Sequence, residues 1–187
     1  MRVCAALLLS ILVFAATAPD PALVASIEKK LRHVESNGAI AQPDPSPTDM
    51  TEQEINAYFA SGRIKLPDGV QSVRFVGMDG AITAVARVDF DRIRSARKTS
   101  NPLLSVFSGV NDVEVQAHAR GSAGKGLVQV DSVALNGVEI PRFILELFVE
   151  KYVQPKHPEI GMDSRFDLPD RIATAAVGKH TLRLTQQ

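Results

Sequence analysis

Two β-rich runs joined by a two-residue turn constrain the fold more than any other feature of the sequence. The runs are Val70–Met78 and residues 81–90, and Asp79-Gly80 lies between them. An Asp-Gly pair in this setting is typical of a β-hairpin, because both residues tolerate the positive φ of a tight turn. In the second run, alternate residues are apolar: Ile82, Ala84, Ala86, Val88 and Phe90. The sequence therefore predicts a hairpin with one face against a core and the other largely in water.

Alternating segments recur later in the chain. Residues 112–120 and 127–135 alternate around a hairpin turn at residues 121–126, and residues 171–177 and 180–184 form a last pair around Gly178-Lys179. The alternation changes phase near Asp131-Ser132, which predicts a β-bulge or a bend there. Together with the first hairpin, these segments predict a largely antiparallel sheet.

Three helices are predicted beside that sheet. Residues 21–36 have apolar side chains at helical spacing. A Pro-rich connector over residues 42–49 follows and separates this helix from the rest, and Thr51 with Glu54 then forms a capping box for a short helix to about Ala60. Residues 142–153 are apolar around most of a helix, which favours burial on more than one side. A Pro-rich loop leads from there to the last hairpin, and the predicted fold class is α+β.

The first 18 residues have the pattern of a secretory signal peptide. Arg2 precedes an apolar run over residues 5–16, and small residues close the segment at Ala18. The run is shorter than the ~20 apolar residues of a spanning helix, so cleavage is favoured over a retained membrane anchor. We therefore expect an exported protein, periplasmic or extracellular, either free or associated with a membrane. Cleavage would remove Cys4, the single cysteine, and leave 169 residues, which suits one domain.

Charge and motif content argue against several classes of function. Lys and Arg total 21 and Asp and Glu total 21, so no basic excess indicates nucleic-acid binding. The four histidines, at positions 33, 118, 157 and 180, are far apart in the sequence, which argues against a metal site. Residues 121–126 lack the glycine spacing of a phosphate-binding loop, and no Gly-x-Ser-x-Gly motif is present. We therefore expect no enzyme, no catalytic residue, no cofactor and no metal.

With these functions excluded, the pattern of apolar residues is the remaining indication of what the protein does. Alternate strand positions carry Ile, Val and the small residue Ala, and the helix over residues 142–153 is apolar nearly all round. This pattern fits an ordinary filled core, and it also fits a groove that binds an apolar ligand. Patterning alone favours the filled core, and the second interpretation stays open.

The order of several short motifs resembles that of small exported domains of the YpmS and LmeA-like kind. The helix Met50-Thr51-Glu52-Gln53-Glu54-Ile55-Asn56-Ala57-Tyr58-Phe59 is similar to the one that opens those domains. The hairpin across Asp79-Gly80, the step Asn136-Gly137-Val138-Glu139-Ile140-Pro141 into the apolar helix, and Phe166-Asp167-Leu168-Pro169-Asp170-Arg171-Ile172 follow in the same order. The resemblance covers roughly residues 50–184, and its motifs are short.

The resemblance implies a half-tubular lipid-binding architecture, in which a curved antiparallel sheet wraps around an apolar helix, here with an additional N-terminal amphipathic helix. Alternate strand residues and helix residues would then line an apolar groove. The residues expected to face the ligand or core are Ile82, Ala84, Val88, Val115, Ala117, Phe143, Leu147 and Phe148. Small alanines on the sheet would leave space opposite the bulky helix, which either Phe143 and Phe148 or an acyl chain would fill.

These observations predict an extracytoplasmic, non-catalytic carrier or sensor of a lipid or another apolar molecule. The alternative is a cell-envelope interaction or assembly protein with a filled core, whose N-terminal helix docks on a membrane surface or another envelope protein. The predicted organisation is a signal peptide over residues 1–18, an amphipathic helix over 19–41, a Pro-rich connector over 42–49 and an α+β domain over 50–187.

Overall fold

The computed structural model describes residues 18–94, 102–155 and 157–187. Of the predicted signal peptide, only Ala18 is among them, and the basic segment beyond Arg94 also lies outside the described residues until Pro102. The helices are α1 (Pro21–Gly38), α2 (Glu52–Ala60), α3 (Phe90–Arg94) and α4 (Arg142–Phe148), with a 3-10 helix at Pro102–Val106 and a π-helical turn at Val149–Val153. The strands are β1 (Thr48–Thr51), β2 (Val70–Met78), β3 (Ala81–Asp89), β4 (Val110–Ser122), β5 (Lys125–Leu135), β6 (Val138–Glu139), β7 (Asp163–Asp167), β8 (Ile172–Gly178) and β9 (Thr181–Gln186).

The strands form one antiparallel sheet, which confirms the predicted α+β class. Its order is β1-β9-β8-β4-β3-β2, and β5 pairs with the other side of β4 and with β6 and β7. The long strand β4 pairs first with β3 and then, at Arg120 and Gly121, with β8. Gly80 in the β2–β3 turn donates its N–H to the Val177 carbonyl at 2.8 Å, which fixes this hairpin against β8.

Helix α2 covers the free edge of β2. The Asn56 side chain both donates to the Phe75 carbonyl and accepts from the Phe75 N–H, each at 2.8 Å. Two positions along, the Gly77 N–H donates to the Glu52 carboxylate at 2.9 Å, and the Gly77 carbonyl accepts from the His180 N–H. The edge N–H and C=O groups of β2, which could otherwise pair with a strand of another molecule, are therefore hydrogen-bonded within the chain.

Two apolar clusters hold the helices to the sheet. Helix α4 and its π-helical turn pack on β3, β4 and β5, where Phe90, Phe107 and Phe148 stack with ring centroids 4.2–5.6 Å apart. Helices α1 and α2 share a second cluster with β1, β8 and β9, built on Ile27, Val34, Met50, Ile172 and Leu184. The amphipathic helix α1 is thus part of the packed structure, and its apolar face is already covered.

Most of the predicted local structure is confirmed. The capping box at Thr51 and Glu54 is present, and the Asp79-Gly80 hairpin has the expected register. The predicted bulge is Asp131: Gln116 pairs with Ser132 and Ala117 with Val130, so Asp131 has no opposite residue. The chain turns between β4 and β5 at Ala123 and Gly124, as a hairpin.

Three details differ from the sequence-based expectation. The connector over residues 42–49 ends two residues early, because Thr48 and Asp49 already pair with Leu184 and Arg183 of β9. The predicted loop before the last hairpin contains the edge strand β7, whose side chains are mostly exposed and so lack alternation. The last turn is Lys179-His180, one residue later than predicted, because Gly178 still pairs with Thr181.

Candidate functional site

The candidate site is a cleft beside Tyr152, in the π-helical turn that follows α4. The Tyr152 ring packs on Phe148 with centroids 5.1 Å apart, and the residue is only 7% exposed. Its hydroxyl is buried and has no hydrogen-bond partner among the residues that the structure describes. A buried hydroxyl without a partner costs about 1–3 kcal/mol, so this position requires a reason other than packing. π-helical turns are often found at functional sites.

The loop between α2 and β2 forms the opposite wall of the cleft. The Val70 N–H donates to the Pro67 carbonyl at 3.0 Å, and the Asp89 N–H donates to the Gly69 carbonyl at 2.7 Å. Gly69 has φ +87°, and a Cβ on it would lie 2.6 Å from Cγ1 of Ile93. Only glycine therefore allows the loop to approach α3 this closely.

The cleft has the volume and chemistry of a small-molecule site. Its volume is about 580 Å³, within the ~300–1,000 Å³ of typical ligand pockets. The walls are mainly apolar and the charged groups lie at the rim. The lining residues are Lys65, Leu66, Pro67, Asp68, Val70, Ile93, Tyr152, Val153 and His157.

A smaller apolar cavity lies under α2. Its volume is about 170 Å³, comparable to the ~150 Å³ engineered cavities that bind benzene. The lining residues are Glu52, Ile55, Phe59, Phe75, Gly77, Ile82, Val177, Thr181 and Leu182. At its edge, a hydrogen bond from His180 to the Glu52 carboxylate (2.7 Å) lowers the pKa of Glu52, assisted by the Gly77 N–H and opposed by burial.

A third concave region lies over β4, β5 and β7 and is wide but poorly walled. Its volume is about 770 Å³, and it is lined largely by exposed side chains, among them Arg120, Arg165 and Phe166. Lys125 in this region is ion-paired with Asp167. Because exposed side chains provide few fixed contacts, the Tyr152 cleft is the better candidate.

The structure distributes the eight predicted groove residues over four places. Val88 and Phe148 are buried in the cluster beneath α4, with Val115 and Leu147 packed against it. Ile82 lines the cavity under α2. Ala84 and Ala117 share the same sheet face, since Ala84 pairs with Val115 and Ile82 with Ala117. Phe143 is 55% exposed and does not belong to the buried cluster.

Aromatic side chains fill much of the cluster beneath α4, and Ala84 and Ala117 do not belong to that cluster. Phe107, 2% exposed, contacts both Phe90 and Phe148. No sequence pattern marked Phe107 or the loop that forms one wall of the Tyr152 cleft. The available signals were the Leu66-Pro67-Asp68-Gly69 turn and a tyrosine near the end of a helix whose other apolar residues are Phe, Ile, Leu and Val.

Several polar side chains outside these regions form pairs. Asp163 accepts from Arg142 at 3.1 Å, and His118 Nδ1 lies 2.7 Å from Asp131. Within the described part of the chain, no group of three or more His, Cys, Asp or Glu residues is placed to hold a metal ion. No helix in that part is both long enough and apolar enough to span a membrane.

No protein-family model, curated protein or solved structure matches the chain.

Proposed function

We propose that this protein is a non-catalytic binding module for a lipid or another apolar molecule, and that the ligand occupies the Tyr152 cleft. One observation carries the proposal: a cleft of about 580 Å³ combines mainly apolar walls with a buried hydroxyl that lacks a partner among the described residues. Such a combination of apolar surface and a few polar groups is typical of ligand sites. The motif resemblance to exported lipid-binding domains supports the same class of ligand.

In this proposal the protein acts outside the cytoplasm, as a carrier or sensor in the periplasm or the extracellular space, and the signal-peptide pattern of residues 1–18 supports this location. The apolar walls supply the binding energy in this proposal, because each buried methylene contributes about 0.8 kcal/mol. A ligand with several methylenes in the cleft would therefore bind without any ionic contact. This position of the ligand replaces the earlier expectation of a groove beneath α4, where aromatic side chains occupy the space.

The experiment is native mass spectrometry of the gently purified full chain, followed by solvent extraction of any bound molecule. We expect a stoichiometric apolar ligand that leaves on denaturation, or uptake of a lipid from added vesicles. Leu66→Trp should block the cleft and abolish this binding, because Leu66 lines it from a loop. Leu103→Trp is the matched control, since Leu103 is 46% exposed and does not line the cleft. Equal lipid binding by both variants would refute the cleft as the site.

A second candidate function is that of an envelope interaction protein, which one observation favours. Several large apolar side chains near the N-terminal ends of β4 and α4 and in β6 are exposed: Val106, Val110, Val138 and Phe143. The docking helix expected for this function is not free, because α1 buries its apolar face against α2 and the sheet. This function would be favoured if the wild-type protein carried no ligand and bound a partner protein that the variants Val138→Asp and Phe143→Asp did not bind.

A further inference from the structure

We infer that the ligand of the Tyr152 cleft is an uncharged amphiphile that places a carbonyl oxygen, such as that of an ester, against the Tyr152 hydroxyl. The inference rests on the proposed function and adds the chemical class of the ligand. It begins from the hydroxyl itself, which is buried and unpartnered within the described part of the molecule. A phenol donates a hydrogen bond readily, so an acceptor oxygen is the group that completes this site.

The surroundings of the hydroxyl favour hydrocarbon on both sides of that oxygen. Val70, Ile93 and Val153 line the same cleft and are partly buried against the α4 cluster. The wall formed by Leu66 and Pro67 belongs to a segment that is neither helix nor strand. Because the hydroxyl is buried, the proposal requires a small displacement of a cleft wall, and this wall has no helix or strand hydrogen bonds of its own to break.

The charges at the rim disfavour an acidic head group. Lys65 and Asp68 carry opposite charges on the same wall, so that wall offers an anion no net attraction. His157 lines the cleft too, but its Nδ1 lies 3.6 Å from the Glu159 carboxylate. A carboxylate beside the Tyr152 hydroxyl would give up its hydration without contacting a cation, which is costly in free energy. An ester carbonyl is uncharged, so its desolvation costs much less.

The test compares three ligands of equal hydrocarbon length, namely methyl laurate, laurate and dodecane, by displacement of the fluorescent apolar probe N-phenyl-1-naphthylamine. The full chain should bind methyl laurate most tightly. Tyr152→Phe should weaken methyl laurate about tenfold, the effect of one hydrogen bond, and should leave dodecane unchanged. The unliganded variant should unfold at the same urea concentration as the wild type or at a higher one, because the hydroxyl it lacks had no partner.

Each other result overturns the inference in a distinguishable way. Equal affinities of the wild type and Tyr152→Phe for methyl laurate would show that the hydroxyl does not contact the ligand. In that case the proposed function would still stand if Leu66→Trp abolished binding of the probe. If laurate bound more tightly than methyl laurate and dodecane, the inference that the ligand is uncharged would be wrong. Failure of the wild type to bind the probe or any of the three ligands would reject both the inference and the proposed function.

Discussion

The carboxylate of Glu54 links α1 to α2 and should give the fold a defined dependence on pH. Glu54 is 4% exposed and accepts hydrogen bonds from Lys30 at 2.7 Å and Ser26 at 2.6 Å, besides those of the capping box at Thr51. Burial alone raises the pKa of Glu54, but these hydrogen bonds outweigh it and lower the pKa from 4.5 to about 2. The ionised form is therefore the one that the folded state stabilises.

The size of this effect follows from the shift. A difference of one pKa unit corresponds to about 1.4 kcal/mol, so the shift of Glu54 contributes about 3 kcal/mol to the free energy of unfolding. Because the folded pKa lies below the unfolded one, this contribution is fully present above pH ~5. It is lost progressively as the pH falls from there through the folded pKa near 2.

Glu54→Gln tests this reasoning. At pH 7 the variant should lose about 3 kcal/mol in urea unfolding followed by far-UV circular dichroism, and near pH 2 its deficit relative to wild type should shrink to a fraction of that. Asp49→Asn is the control: Asp49 pairs with Arg183, but both side chains are about half exposed, so the loss should stay below about 1 kcal/mol. A Glu54→Gln deficit of the same size at both pH values would refute the electrostatic account and leave only packing.

Two further substitutions test how the sheet is held. Asn56→Ala should lower the free energy of unfolding by about 1–3 kcal/mol, because it removes both hydrogen bonds to Phe75 at the edge of β2; an unchanged urea midpoint would contradict this. Gly121→Ala should lower the thermal midpoint measurably, because its Cβ would lie 2.8 Å from Cβ of Ala175, where β8 joins β4. Gly161→Ala is its control, since a Cβ there meets no atom closer than 3.9 Å, and equal midpoints for the two variants would contradict the close approach.

Local elements were predictable where adjacent residues specify them. The capping box at Thr51, the Asp79-Gly80 turn and the Asp131 bulge each depend on a few neighbouring residues, and the structure has all three. Strand β7 was missed because its side chains are exposed on both faces, so no alternation marks it. The last turn moved by one residue because contacts of His180 with Glu52 and Gly77, distant in the sequence, help to fix it.

None of the eight residues predicted to line a groove lines the Tyr152 cleft. The sequence showed that alternate residues of β3 and β4 share one apolar face, and the register confirms it. It did not show that Phe90 and Phe107 would fill the space beneath α4, since Phe107 lies outside every periodic segment. The walls of the Tyr152 cleft come from four separate parts of the chain, and a cleft of this kind has no sequence pattern.

The sequence by itself determined the α+β class, most of the hairpins and the limits of α1 and α2, because hydrophobic periodicity and capping act between residues that are neighbours in the chain. The tertiary structure alone decided which apolar surfaces pack against one another and which stay exposed to solvent. It packed α1 into the core, filled the predicted groove with aromatic rings and left the Tyr152 hydroxyl without a partner in the described structure. Those outcomes depend on contacts between residues that are distant in sequence, where shape and volume decide the packing.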